Sequence, residues 1–255
     1  MNVSDSVGEW LAERRQIRPG QTIGFVPTMG ALHRGHASLV ERSVAENDLT
    51  VVSIFVNPTQ FNDPKDLDRY PRTFEADLDL LRGLGVDYVF SPSKADLYPH
   101  GYRFRIESEA MTSVMEGVHR PGFLQGVMTV VLKLLNIVRA DRAYFGEKDY
   151  QQLQTIKEMV NDFFIPTEII ACETIREESG LAESSRNRLL SESGRLQAAA
   201  IYKALTRCPD VESAARTLAA QGFTIDYLEE HWGRRFAAVF LEGVRLIDNV
   251  PAPSR

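Results

Sequence analysis

The run Thr50-Val-Val-Ser-Ile-Phe-Val56 constrains the fold more than any other stretch of the chain. It is apolar and β-branched nearly throughout, the pattern of a strand covered on both faces rather than one with a side turned to water. Such a strand needs helices on each side of its sheet, which places the chain in the α/β class. An apolar segment, Thr22 to Val26, precedes it. Between the two, residues 35–46 put Leu39, Val40 and Val44 on one stripe and turn Glu41, Arg42 and Glu46 away, as an amphipathic helix does. Strand, helix and strand form a βαβ unit whose strands run parallel.

The alternation continues along the chain. Val7 to Gln16 reads as a short helix, closed by the turn Arg18-Pro19-Gly20. A loop of mixed charge, Asn62 to Arg72, leads to a helix with Phe74, Leu78 and Leu81 on one face, ended by Gly83 and Gly85, and Val86 to Phe90 is the next strand. Tyr102, Phe104 and Ile106 alternate with Arg103 and Arg105, the period of a half-exposed strand. Pro121 to Gly126 reads as a flexible loop before a helix with a wide apolar face, Val127 to Val138. Arg142 to Gly146 and Glu168 to Cys172 complete the parallel strands, and Gly180 to Asn187 is too polar for a core. After Ser191 come alanine-rich helices, Ala198 to Leu205 and Val211 to Ala220, and short strands at Thr224 to Glu229, Phe236 to Leu241 and Val244 to Asp248. A boundary near residue 190 is expected, dividing a parallel α/β domain, 1–190, from a small α+β domain, 191–255.

Composition narrows the partners. The 255 residues carry 29 basic against 35 acidic side chains, a formal charge of −6, which argues against broad nucleic-acid binding and against an anionic membrane surface. A small-molecule partner is the expectation. Cys172 and Cys208 lie outside any CxxC or Cys/His cluster, so neither a disulfide framework nor a zinc site is suggested. The first twenty residues lack the apolar region of a signal peptide, and Val127 to Val138 is too short to span a bilayer, so a cytoplasmic protein is expected.

Chemistry concentrates where the first strand gives way to the first helix. Gly24-Phe-Val-Pro-Thr-Met-Gly-Ala-Leu-His-Arg-Gly-His36 breaks an apolar strand at Pro27 and Gly30 and delivers His33 and His36 near a helix N-terminus. Free backbone N–H groups and the helix dipole favour a phosphate there, and two imidazoles can donate to a phosphoryl oxygen as charge builds on it. Asn57 and Gln60 stop the second strand at the same end of the sheet as the histidines. Lys148 and Arg186, each in a polar loop at a strand end, are candidates for other phosphates, with Ser184 and Ser185 as further donors. Asp77 and Asp149 could approach a magnesium ion, although acids in a first helical turn also answer the dipole.

Several blocks, in order, carry a family resemblance. Pro27-Thr-Met-Gly-Ala-Leu-His-Arg-Gly-His36, Val52-Ser-Ile-Phe-Val-Asn-Pro-Thr-Gln-Phe61, Asp66-Leu-Asp-Arg-Tyr-Pro-Arg-Thr73, Phe145-Gly-Glu-Lys-Asp-Tyr-Gln-Gln152 and Gly180-Leu-Ala-Glu-Ser-Ser-Arg-Asn187 resemble the pantothenate synthetase (pantoate–β-alanine ligase) family, with a weaker echo at Leu246-Ile-Asp-Asn249. The resemblance implies a Rossmann-like parallel sheet of the HxGH nucleotidyltransferase type and a smaller C-terminal lid domain, usually in a homodimer. It implies a reaction in which Mg-ATP and pantoate give pantoyl adenylate and pyrophosphate, and β-alanine then releases pantothenate and AMP. His33 and His36 would contact the phosphates, with Met29, Gly146, Lys148, Asp149, Ser184, Ser185 and Arg186 around the nucleotide. Gln60 and Gln152 would bind the acid, supported by Asn57 and walled by Met29 and Phe61. Arg120 and Phe123 would lie on the amine side, and Asp77 near the magnesium.

Departures from the family pattern leave alternatives. Pro121-Gly-Phe-Leu124 stands where Pro-Gly-His-Phe is usual, Glu183 replaces a Met or Leu, Ser179 replaces an Asp, and the segment after residue 190 is short for the family. Phe123 and Glu183 raise the alternative of an amide synthetase using another amine or acid. A nucleotidyltransferase acting on a phosphate ester is a second, against which Gln60 and the Lys148 to Gln152 block argue. A nucleotide-binding regulator without activity is a third.

Overall fold

The computed structural model describes residues 1–62 and 64–253. The described residues of 1–146 with 151–172 form one compact unit, and those of 147–150 with 173–253 a second. The second thus takes in the polar loop before residue 190 as well as four residues that follow the fifth strand.

The first unit is built on a parallel sheet of β1 (Asn2–Ser4), β2 (Ile23–Thr28), β3 (Leu49–Ile54), β4 (Tyr88–Phe90), β5 (Arg142–Gly146) and β6 (Glu168–Cys172), in the spatial order β1-β4-β3-β2-β5-β6. The apolar run read as doubly covered is β3, and Val51, Val52 and Ser53 are fully buried in it. It pairs with β2 from Ile23↔Leu49 to Thr28↔Ile54, while β2 pairs on its other side with β5 at Gly24↔Arg142 and Phe25↔Ala143. From β2 the chain proceeds outward through β3 to β4; with β5 it resumes on the opposite flank and proceeds to β6. The winding direction therefore reverses between β2 and β5, and the crevice beyond the carboxyl ends of such a strand pair is where open α/β sheets bind ligands.

Helices cover the sheet as the periodicity requires. Helix Phe123–Val138 buries Leu124, Val127, Met128, Val131, Leu135 and Val138, each contributing on the order of 1.5–3 kcal/mol relative to exposure. Trp10, on the helix Val7–Arg14, is fully buried and donates its indole N–H to the Ile137 carbonyl at 2.9 Å. An indole buried without that acceptor would be costly, so one bond locks the N-terminal helix onto the central one.

The structure corrects three local expectations. Tyr102–Ile106 is irregular: Phe104 is 86% exposed, and the Ile106 N–H donates to the Thr129 hydroxyl at 3.0 Å instead of to a strand. Alternating composition lacked a sheet edge to pair with. Pro121–Gly126 is not a flexible loop, because the helix begins at Phe123 with Gly122 as its left-handed N-cap, φ 85°. Phe123 and Leu124 are buried, and a Cβ on Gly126 would collide with the backbone of Thr59 and Gln60, so this glycine answers close packing. Within the expected loop 62–72, Pro64–Arg69 forms a short helix.

The second unit carries an antiparallel sheet of β7 (Thr224–His231), β8 (Arg234–Leu241) and β9 (Val244–Pro251). Two-residue turns join them, Trp232-Gly233 with φ 48° and 67° and Glu242-Gly243 with φ 52° and 75°. Both residues positive is the I′ geometry that suits the twist of a hairpin. Helices Glu192–Ala198, Ala200–Arg207 and Val211–Ala220 supply Ala198, Ile201, Leu205 and Leu218 to a core completed by Val239 and Leu246. The fold is thus α/β with a Rossmann-like parallel sheet and a smaller α+β part.

Candidate active site

At the end of β2 the chain turns through Met29, Gly30, Ala31 and Leu32 before the helix Arg34–Glu46 begins. Gly30 and Ala31 both hold positive φ, 76° and 52°, and the second is a conformation that residues with a Cβ rarely adopt. Buried Asp77, 3% exposed, holds this turn: Oδ2 accepts the Ala31 N–H at 2.9 Å and Oδ1 the Leu32 N–H at 2.8 Å, while the Thr73 hydroxyl donates to the carboxylate at 3.2 Å. Thr28 closes the other side, donating to the Ser53 carbonyl at 2.7 Å and accepting the Gly30 N–H at 3.1 Å.

The turn delivers the histidines. His33 is the N-cap of its helix, with Nδ1 accepting the Gly35 N–H at 3.1 Å. A neutral imidazole that accepts at Nδ1 carries its proton on Nε2, so the donor faces away from the helix. The His33 and His36 rings lie 4.1 Å apart, centroid to centroid. Two adjacent nitrogen donors beside a helix N-terminus can bind one phosphoryl group.

Along the end of β3 a second group forms. Gln60 donates from Nε2 to the Met29 sulfur at 3.1 Å, and its Oε1 accepts from Asn57 Nδ2 at 3.0 Å. Asn57 is 1% exposed and also donates to the Gly126 carbonyl at 3.2 Å. Its Oδ1 accepts from the Tyr98 hydroxyl at 2.9 Å and from the Thr59 hydroxyl at 3.0 Å. Burial pushes the Tyr98 phenol above its ordinary pKa, keeping it the donor. Phe61 packs edge-on against Tyr70, ring centroids 5.7 Å apart. Met29, Asn57, Gln60 and Phe61, grouped from sequence, therefore share one neighbourhood, whereas Tyr98 and Gly126 had no motif to announce them.

Arg120 adjoins that group. It donates to the Gln60 carbonyl at 3.3 Å and to Glu116 Oε2 at 3.2 Å, and its guanidinium lies 3.7 Å over the Phe123 ring. Buried Gln151 braces this segment, donating to the Met111 and Val114 carbonyls at 2.9 and 3.0 Å and accepting the Glu116 N–H at 2.9 Å. Its half-buried neighbour Gln152 is the glutamine assigned to the acid from sequence.

In the second unit, Lys148 and Asp149 follow Gly146, the last residue of β5, with Lys148 Nζ 3.9 Å from Asp149 Oδ2. Asn249 donates to the carbonyls of Glu147 and Lys148, both at 2.9 Å. Ser184 caps the turn Ser185–Leu189 by accepting the Arg186 N–H at 3.3 Å, and Asn187 donates to the Ala182 carbonyl at 3.0 Å. Glu183 is fixed through its N–H to the Ile175 carbonyl at 2.9 Å. Among the described residues, no three His, Cys, Asp or Glu side chains converge as a metal cage.

A histidine pair on the strand-to-helix turn beside the winding reversal is the arrangement of a nucleotide-using α/β enzyme. Comparison with known proteins narrows that class. The chain belongs to the pantoate–β-alanine ligase family, whose profile, described as Pantoate-beta-alanine ligase, matches residues 1–251. It is 50% identical to pantothenate synthetase of Bdellovibrio bacteriovorus over 96% of this chain and 97% of that protein. It is 47% identical to pantothenate synthetase of Legionella pneumophila, with 98% and 99% covered. A solved pantoate-beta-alanine ligase from Francisella tularensis, complexed with beta-gamma ATP and beta-alanine, superposes with a TM-score of 0.95 at 44% identity, covering 98% of this chain and 97% of that one. These relatives are matched over nearly their whole length.

Proposed function

We propose that the protein joins pantoate to β-alanine at the expense of ATP, forming pantoyl adenylate and pyrophosphate and then pantothenate and AMP. Family membership across the chain carries this reading, and the strand-end histidine pair gives it a chemical basis. A free carboxylate is a poor acylating agent; adenylation supplies a leaving group. In the first step the acid's carboxylate oxygen bonds to the α-phosphorus as the bond to pyrophosphate breaks. Negative charge rises on the non-bridging oxygens, where donors already oriented act without further reorganisation. His33 Nε2 and His36 fill that role.

Gln60 and Gln152 hold the acid's hydroxyl and carboxylate, with Met29 and Phe61 as apolar wall and Asn57 fixing Gln60. Amide donors orient an anion without cancelling its charge, so nucleophilicity is kept. Lys148, Ser184, Ser185 and Arg186 take the phosphates, with Gly146 and Asp149 beside the nucleotide. In the second step the β-alanine nitrogen attacks the acyl carbon and AMP leaves; Arg120 and Phe123 line the amine side. Magnesium would enter with ATP and offset the charge of its phosphates, which suits an ion that seldom needs an all-protein cage. Asp77, with both oxygens engaged by the loop, is assigned to hold the histidine turn rather than to ligate that ion. We further propose a cytoplasmic homodimer in which residues 191–255 form the functional lid domain.

Pantoate-dependent exchange of pyrophosphate into ATP, followed by release of pantothenate on adding β-alanine, tests the proposal. Exchange with pantoate but no amide with β-alanine would move the second substrate elsewhere; no exchange with any acid would reject adenylation.

A further inference from the structure

Two adjacent residues of β9 hold both loops that carry the phosphate-binding candidates of the second unit. Asn249 is 1% exposed and satisfied at every polar atom of its amide. The NH2 group spends its donors on the Glu147 and Lys148 carbonyls, 2.9 Å each, and Oδ1 accepts from Arg234 Nε at 2.6 Å. That last bond decides which way the amide faces, because an oxygen turned to a guanidinium leaves the donors pointing at the loop. Arg234 is itself held, 4.5 Å over the Tyr150 ring and with Nη1 3.4 Å from Glu147 Oε2.

The neighbouring Asp248 serves the other loop. Its carboxylate accepts both terminal nitrogens of Arg176, at 2.7 and 2.8 Å. Arg176 then donates to the carbonyl of Gly180, where the Gly180–Asn187 segment starts, at 3.0 Å, and to the Asn249 carbonyl at 3.2 Å. One dipeptide thus ties residues 147–148 and residue 180 to a single strand. Neither an aspartate nor an aliphatic residue at 249 could donate to two carbonyls.

We infer that the Asp248-Asn249 pair sets the relative placement of the two nucleotide loops, and that Asn249 is a positioning residue for Lys148. The inference rests on the reading that Lys148 and the Ser184–Arg186 turn hold the triphosphate. Asn249 touches no substrate atom in this role; it acts through the peptide planes on which the Lys148 side chain is mounted.

Pyrophosphate exchange on the full chain tests it, with Asn249→Leu, Arg234→Lys, Lys148→Ala and the double variant of Asn249→Leu with Lys148→Ala. Arg245→Gln, which breaks the 2.7 Å pair with Asp226 on the same sheet, is the control for general loosening. Asn249→Leu should raise the KM for ATP about tenfold, the size of effect that two neutral hydrogen bonds carry, and leave the KM for the acid within about twofold. Arg234→Lys keeps the charge and should move the same constant in the same direction, which preserves the test if Asn249→Leu fails to fold. In the Lys148→Ala background Asn249→Leu should add nothing, since residues acting through one another are non-additive. An unchanged KM for ATP in Lys148→Ala would overturn the reading of the loop as a nucleotide site. A raised one there, with Asn249→Leu and Arg234→Lys unaffected, would overturn the positioning role alone. Equal rises for ATP and acid, or the same rise in Arg245→Gln, would also overturn it.

Discussion

Replacing Asp77 by asparagine separates two roles that a carboxylate near a phosphate site can play. The native side chain accepts the Leu32 and Ala31 N–H groups at 2.8 and 2.9 Å, one on each oxygen, in a position 3% exposed. In Asp77→Asn one oxygen becomes an NH2 that faces a backbone donor. The stranded N–H costs about 1–3 kcal/mol, and the surviving bond loses its charge assistance, about 1 kcal/mol more. The turn holds Ala31 at φ 52°, a left-handed geometry that itself costs about 1–2 kcal/mol, and these bonds offset that strain. Unfolding free energy measured in urea should therefore fall by about 3 kcal/mol, a large part of the 5–15 kcal/mol typical of a domain. Because His33 follows the turn directly, kcat for pyrophosphate exchange should fall about 100-fold, as expected when an oriented donor is displaced. The magnesium dependence of the residual exchange should keep its native midpoint. A variant of unchanged stability whose exchange is restored by raising magnesium would refute this reasoning and make Asp77 a metal ligand.

Other perturbations address separate parts of the molecule. His36→Ala should lower adenylate formation by about two orders of magnitude or more, the usual loss for an aligned transition-state donor, and near-normal exchange would remove the histidine from the chemistry. Gly126→Ala drives a Cβ into the Thr59 and Gln60 backbone and should cost about 1–3 kcal/mol in urea denaturation while raising the KM for the acid through Gln60; an acid KM at the native value would disconnect that contact from binding. Burial, with the neighbouring Glu46, pushes the Tyr144 phenol up to about 12, although the Asn47 amide opposes it, so the neutral form is favoured in the folded protein. Its contribution is present below pH 10 and is lost as pH rises from 10 toward 12, so Tyr144→Phe should flatten the alkaline fall in stability over that interval. Identical alkaline profiles for the two proteins would sink the assignment.

Long-period features were legible in the sequence and non-local bonds were not. The β-branched run of β3 and the apolar face of Phe123–Val138 declare themselves because burial on both faces, or on one helical stripe, leaves few residue choices. β1 has only the three residues Asn2–Ser4, too short for any period to register, and it joins the sheet by pairing with β4 at Val3↔Val89. At Tyr102–Ile106 the alternation was genuine in composition, yet the hydroxyl of Thr129 took the N–H that a strand would have needed. The histidine turn could be placed from Pro27, Gly30 and the following helix. What holds it could not, because Asp77 sits 45 residues from Leu32 and looks like an ordinary acid in the first turn of a helix. Asn249 had a faint signal, an Asp-Asn pair inside an apolar strand, where buried polar side chains demand partners.

Asp77, Gln151 and Asn249 share a physical logic that explains why the site needs residues so far from its motifs. Each is a buried side chain whose polar atoms bind two or more backbone groups of a segment carrying candidate ligands: the turn before His33, the segment bearing Glu116 and Arg120, and the loop of Lys148. In a turn with positive φ, such as Gly30-Ala31, the Ala31 N–H has no secondary-structure ladder to satisfy it and bonds a side chain instead. Water could serve such groups, but water would also leave the segment free to move and would solvate the charge that rises on the α-phosphate. A fixed side chain satisfies the same groups while setting one geometry. Conservative polar replacements at these three positions should therefore cost more activity than their volume change suggests, because the bonds lost are those that aim the proposed catalytic and binding side chains rather than those that fill space.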